Sequence, residues 1–189
     1  MEQKLHELLD EDETLLWSGR PEPFTTMDKT NKSSILIGLF IKFAVTLFFL
    51  LYYIKATSAG AGVKPGVIIF ILAVGGYALA NPFFVARRLR EKTLYGLSDR
   101  RLLRAGAMNE AVPYDRMKNV VLRTDADGHT SLLCGPRTQD FKPTLWRGEA
   151  DAAFINGPDD DEVLRAIMYA LPKDKKLETL LRRYLPIDK

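Results

Sequence analysis

Cysteine is nearly missing from this chain: Cys134 is the only one among 189 residues. No disulfide can form within it, and a soluble part on the reducing side of a membrane fits that count. Histidine is almost as scarce, with His6 and His129 in separate regions. A zinc-type cluster therefore has too few ligands. No Ser-His-Asp or Cys-His spacing and no glycine-rich phosphate loop occurs, so no catalytic residue, metal or cofactor is assigned and no small-molecule substrate is evident. The net charge is only +3 and gives no ground for nucleic-acid binding. Acidic residues are absent altogether from Ile35 to Ala86.

That acid-free stretch organises the rest. It holds two apolar runs, Ile35–Ile54 and about Val63–Ala86, the second densest at Gly66–Ala80. A helix of about 20 apolar residues spans about 30 Å, the thickness of a bilayer's hydrocarbon core. The pair is expected to form a transmembrane hairpin over residues 35–86. The first run has the length of a full span, so it is read as a span and not as a secretory signal. Lys29 and Lys32 precede it, Lys55 and Lys64 bracket the loop, and Arg87, Arg88, Arg90 and Lys92 follow the second run. Basic charge is heavier on the side of the termini, which places both termini in the cytoplasm and a short loop outside. Tyr52 and Tyr53 fall where an outer aromatic belt would sit.

Three features of the hairpin invite a choice. Lys42 lies inside the first span and has no acidic residue to pair with; it is expected to snorkel to the near interface and not to serve transport. Ala73, Gly76 and Ala80 form a small-residue face, expected to pack against the first span. Asn81-Pro82 interrupts the second run, so that helix either starts near Val63 or continues, kinked, past Pro82.

Residues 1–34 read as a cytoplasmic leader with a short amphipathic helix carrying Leu5, Leu8 and Leu9. Trp17 is either an interfacial anchor or packs on the soluble domain. After Lys92 short apolar segments alternate with turn signals, the pattern of a small all-β unit. The expected strands are Thr93–Leu97, Arg101–Ala105, Glu110–Tyr114, Asn119–Thr124, Thr130–Cys134 and Ala152–Ile155, with one or two irregular strands within Gly135–Ala150. Asp127-Gly128 is expected to supply positive-φ residues of a hairpin turn; the lone Asp125-Ala126-Asp127-Gly128 lacks the later ligands of a calcium loop. A helix is expected from Asn156 or Gly157, led by Asp159–Glu162, with Val163, Ile167, Ala170 and Leu171 on its apolar face and Pro172 as its end. The tail, residues 173–189, carries Leu177, Leu180, Leu181, Tyr184 and Leu185 on one face of an amphipathic helix, a possible partner-helix surface.

The residues also resemble a family. Tyr95-Gly96-Leu97-Ser98-Asp99-Arg100-Arg101-Leu102 is similar to the opening of bacterial pleckstrin-homology (PH) domains. Gly106, Val112-Pro113-Tyr114 leading to Val120, and Phe154-Ile155-Asn156-Gly157-Pro158 leading to Val163 resemble later parts of it. Glu13-Thr14-Leu15-Leu16-Trp17-Ser18-Gly19-Arg20-Pro21 looks like the leader of its membrane-anchored members. The resemblance implies a mainly-β PH-like barrel over residues 87–172, closed by a C-terminal helix, and supplies no catalytic residue. Members that bind inositol phosphates resemble one another in a long basic first loop, and Ser98-Asp99 is too short for that. The functional expectation is a non-enzymatic protein of the bacterial inner membrane. Its cytoplasmic PH-like domain would bind a protein partner or a second copy. The alternatives are an accessory subunit of a transporter or channel and an anionic-lipid sensor, for which Arg87, Arg88, Arg90 and Lys92 are the candidate headgroup contacts.

Overall fold

The computed structural model describes residues 2–58, 60, 62–106, 109–135, 142–151 and 167–187. Five helices and seven strands occur among them, with two short 3-10 turns, Tyr114–Arg116 and Pro143–Leu145. The two long ones are α2 (Lys32–Ser58) and α3 (Pro65–Lys92), of 27 and 28 residues. At 1.5 Å per residue each is about 40 Å long, enough to cross a bilayer. Their apolar side chains face outward: Phe40, Phe48, Ile69, Phe70 and Tyr77 are each more than 60% exposed. In a water-soluble core such side chains would be covered, so this exposure sets the two helices apart from buried core helices.

The strands form two antiparallel sheets. The first has the order β1-β2-β3-β4, with β1 Leu15–Gly19, β2 Leu94–Ser98, β3 Arg101–Ala105 and β4 Glu110–Pro113. The second has the order β5-β6-β7, with β5 Val121–Thr124, β6 Thr130–Leu133 and β7 Ile167–Leu171. β1 lies before the hairpin and β2 after it, yet they pair, Trp17 with Leu97 and Gly19 with Tyr95. The sheet is thus assembled across the two long helices.

Period-two alternation sorts the side chains. Tyr95, Leu97, Leu102 and Val112 point into a core shared with Leu132, Met168 and Leu171 of the second sheet. Leu94, Leu103 and Ala105 point the other way and are covered by Leu5 of α1 (Glu2–His6). The far side of the second sheet, through Leu133, Ile167 and Tyr169, packs on Ala86 and Leu89 of α3 and on Trp146 and Ala150 of α4 (Trp146–Asp151). Tyr95 links the sheets: its hydroxyl donates to the Tyr169 carbonyl at 3.3 Å and accepts from the Tyr169 amide at 3.0 Å.

Several expectations are corrected. The anticipated helix face Ile167, Ala170 and Leu171 belongs to strand β7, paired with β6. All five residues Ile167–Leu171 are buried, and a short run buried on both faces has no period that separates strand from helix. The remainder of that expected helix, residues 156–166, and the expected strand Ala152–Ile155 lie outside the described residues. No barrel is closed among the described residues, because no strand pair joins the two sheets. Within Gly135–Ala150, expected to hold one or two irregular strands, residues 143–150 are helical, and residues 136–141 lie outside the described residues. In the β5–β6 turn only Gly128 has positive φ, +84°, because the Asp125 carboxylate holds the loop by accepting the amides of Asp127 and His129, each at 2.9 Å. The tail forms α5 (Lys175–Tyr184), capped by Asp174, whose carboxylate accepts the Lys176 amide.

Candidate functional site at the membrane junction

A densely connected polar region lies where the hairpin meets the sheets. Its centre is α4, a helix of only six residues. Arg147 projects from it into the connection between β1 and α2, with a side-chain exposure of 6%. One guanidinium nitrogen donates to the Thr26 carbonyl at 2.7 Å, and the other donates to the Asp28 carboxylate and to the Tyr169 hydroxyl, the latter at 3.1 Å. The guanidinium also stacks over the rings of Phe24 (4.6 Å) and Tyr169 (5.2 Å). Burial lowers the pKa of Arg147, and contact with Tyr169 opposes that. Burial in the same cluster pushes the Tyr169 phenol up to about 12.

The other end of α4 grips α3. Asp151 accepts from Arg88, and the Ala150 carbonyl accepts from Arg104 of β3. The entry to α2 is held a second time by Asp127 of the β5–β6 turn. Its carboxylate accepts the Lys29 amide at 3.1 Å, the Thr30 amide at 2.8 Å and the Thr30 hydroxyl at 2.6 Å. Desolvation raises the Asp127 pKa, but these hydrogen bonds together outweigh it and hold the carboxyl below its usual value. Asp28 itself accepts the Asn31 amide one turn into the chain leading to α2. The start of α2 and the end of α3 are therefore both tied to the sheets, α2 through Asp28 and Asp127, and α3 through Arg88, Ala86 and Leu89.

The leader is tied just as firmly. Glu13 has a side-chain exposure of 0% and pairs with Arg101, which donates through Nε at 3.0 Å to each carboxylate oxygen. Burial raises the Glu13 pKa, but hydrogen bonds from Arg101, Ser98 and the Asp10 amide outweigh it and bring it to about 2. Trp17 packs in the core, and its indole N–H donates to Asp174 at 2.8 Å. Of its two readings, the structure takes packing on the sheets. Cys134 is buried in the same core.

The four basic residues expected at headgroups are differently placed. Arg88 is spent on Asp151. Arg87 and Arg90 both pair with Glu91, at 2.8 and 3.1 Å, and both are exposed, as is Lys92. On the tail helix, Leu177, Leu181 and Leu185 are buried in the chain's own core, while Leu180 and Tyr184 are half-buried. Three of the five residues expected to face a partner helix are already covered from within. A groove of about 460 Å³ remains beside them, with Leu122 and Leu171 of the second sheet on one wall and Leu177, Leu181 and Arg182 of α5 on the other.

Inside the hairpin, contact between the long helices runs through Gly75 and not through the Ala73–Gly76–Ala80 face. A Cβ at Gly75 would lie 2.4 Å from the Thr46 methyl, whereas one at Gly76 would meet nothing within 4 Å. Lys42 does not stretch toward the interface: its Nζ donates to the Ala78 carbonyl of α3 at 3.1 Å.

Comparison with known protein families, characterised proteins and solved structures finds no match to this chain. The chemistry must be judged from the residues themselves. Among the described residues no group of three or more His, Cys, Asp or Glu could hold a metal ion. The junction's charged groups are matched to one another, cation to carboxylate, which suits holding elements together. Sequence reading missed Arg147, Asp28, Asp127 and Asp151, because their partners lie up to 121 residues away and no local spacing marks such pairs.

Proposed function

We propose that this chain is an integral membrane protein of the bacterial inner membrane, with both flanks of its hairpin in the cytoplasm. Its two sheets form a PH-like unit that binds a protein partner or a second copy at the membrane surface, without catalysing a reaction. The observation that carries this reading is the pairing of β1 with β2 across the hairpin. Two flanks in one sheet must lie on one side of a membrane, so the helices between them cross an even number of times. Two long apolar helices with lipid-like exposure supply that even number. The four-plus-three arrangement of strands with a terminal amphipathic helix supports the PH-like reading. The side-chain chemistry, spent on ion pairs that fasten the unit to the hairpin, supports presentation over catalysis.

Mild extraction of the tagged full-length protein, followed by light scattering and identification of co-purifying chains, tests this. A defined homo-oligomer or a near-stoichiometric protein partner is the expected result. A monomer with no partner, whose binding to vesicles follows anionic lipid content and salt, would replace it with the lipid-sensing alternative. The transporter reading loses its main residue, since Lys42 already has a backbone partner within the hairpin.

A further inference from the structure

Proline at position 82 sits inside α3. It has no amide hydrogen, so the carbonyl four residues earlier, that of Ala78, loses its intrahelical donor. An unsatisfied carbonyl in hydrocarbon is costly, because no water is there to replace the donor. Ala78 is the residue whose carbonyl accepts from Lys42 Nζ, across the helix–helix contact, at 3.1 Å. The two oddities of the hairpin, a lysine without an acidic partner and a proline inside a span, therefore answer each other.

We propose that Lys42 is the donor that replaces the missing amide of Pro82, and that this bond sets the register between the two long helices. The surrounding residues fit the task. Lys42 and Thr46 are one turn apart on α2, and the Thr46 hydroxyl folds back onto the Lys42 carbonyl at 2.8 Å. Gly75, one turn before Ala78 on α3, has no side chain to hold Thr46 away. The helices thus approach closely at Gly75, and the lysine reaches the carbonyl one turn further along. The lysine is a positioning residue, with its polar end spent inside the protein and not at the headgroups. This inference goes beyond the presentation role and holds whichever partner the sheets bind.

A thermodynamic cycle between Lys42→Met and Pro82→Ala tests it on the full-length protein in bicelles. Pro82→Ala restores an amide donor for the Ala78 carbonyl, so Lys42 becomes dispensable in that background. Lys42→Met alone is expected to shift the detergent-unfolding equilibrium of the hairpin about three- to tenfold, the range for hydrogen bonds between membrane helices. In the Pro82→Ala background the same substitution is expected to shift it less than about twofold. A second readout is specific to the bond. The sequence contains Ala-Leu at two places only, 78–79 and 170–171, so carbonyl-labelled alanine with nitrogen-labelled leucine gives two resolvable carbonyl signals. Lys42→Met should move the Ala78 signal upfield, leave the Ala170 signal in place, and move neither when Pro82→Ala is present. If Lys42→Met alone fails to assemble, recovery of assembly in the double variant is the expected result. Equal effects of Lys42→Met in both backgrounds, an unmoved Ala78 signal, or failure of the double variant would each overturn the proposal.

Discussion

Arg147→Met is the most searching perturbation of the junction. The substitution keeps the length and apolar stem of the side chain and removes the guanidinium. Asp28 then keeps its bonds from Asn31 but loses the cation facing its other oxygen, at a site where both side chains are about 95% buried. Removing one partner of a buried ion pair costs about 3–5 kcal/mol, because the remaining charge is left uncompensated. The Thr26 carbonyl and the Tyr169 hydroxyl each lose a donor as well, and the guanidinium's contacts with the Phe24 and Tyr169 rings are lost. The loss should fall near the upper half of that range. Trp146, next in sequence and buried at 1% exposure, reports the transition by its fluorescence during denaturant titration of the detergent-solubilised protein. Adding Asp28→Asn to Arg147→Met removes the stranded charge, and should recover all but about 1–2 kcal/mol. A loss below about 1 kcal/mol for Arg147→Met, or no recovery in the double variant, would refute the view that this pair fastens the hairpin to the sheets.

Further predictions follow from other contacts. Glu13 has a folded-state pKa of about 2 against an ordinary 4.5; a depressed carboxyl pKa contributes stability that is complete above the unfolded value and is lost as pH falls from about 4.5 toward 2. The contribution is on the order of 3 kcal/mol at neutral pH, and Glu13→Gln should flatten that part of the stability-against-pH curve. Leu181, at 1% exposure, should cost about 2–4 kcal/mol when changed to Ala, and half-buried Leu180 about 1 kcal/mol or less. The same loss at both would show α5 standing off the core. Gly75→Leu should separate the long helices at Thr46 and lower the yield of folded protein on size-exclusion chromatography, while Gly76→Leu, pointing into open space, should leave the profile unchanged.

Much of the fold was legible where a single period governed the residues. The two apolar runs became α2 and α3, Arg101–Ala105 became β3 with the same ends, and Leu177, Leu181 and Leu185 marked a true helix. Legibility failed where burial on both faces erased the period, as at Ile167–Leu171. It failed again where a strand's partner lay beyond the hairpin. Leu15–Gly19 looks like an apolar patch in a leader until β2 is placed beside it, 75 residues or more downstream in sequence terms. The junction was the least visible part. An arginine followed by glycine carries no local sign that it will be buried against two aromatic rings. Lys42 and Pro82 were each noticed as exceptions, but only the structure brings the proline-freed carbonyl of Ala78 to the lysine.

The central claim is that two helices cross a membrane while everything on either side of them lies in one compartment. Single cysteines at Glu2, Ser58 and Thr179, introduced in a Cys134→Ala background and probed with a membrane-impermeant maleimide on intact spheroplasts, test it directly. The account predicts that the cysteine at position 58 reacts from outside, while those at positions 2 and 179 react only after the membrane is opened. Labelling of positions 58 and 179 from the same side, or of positions 2 and 179 from opposite sides, would contradict it.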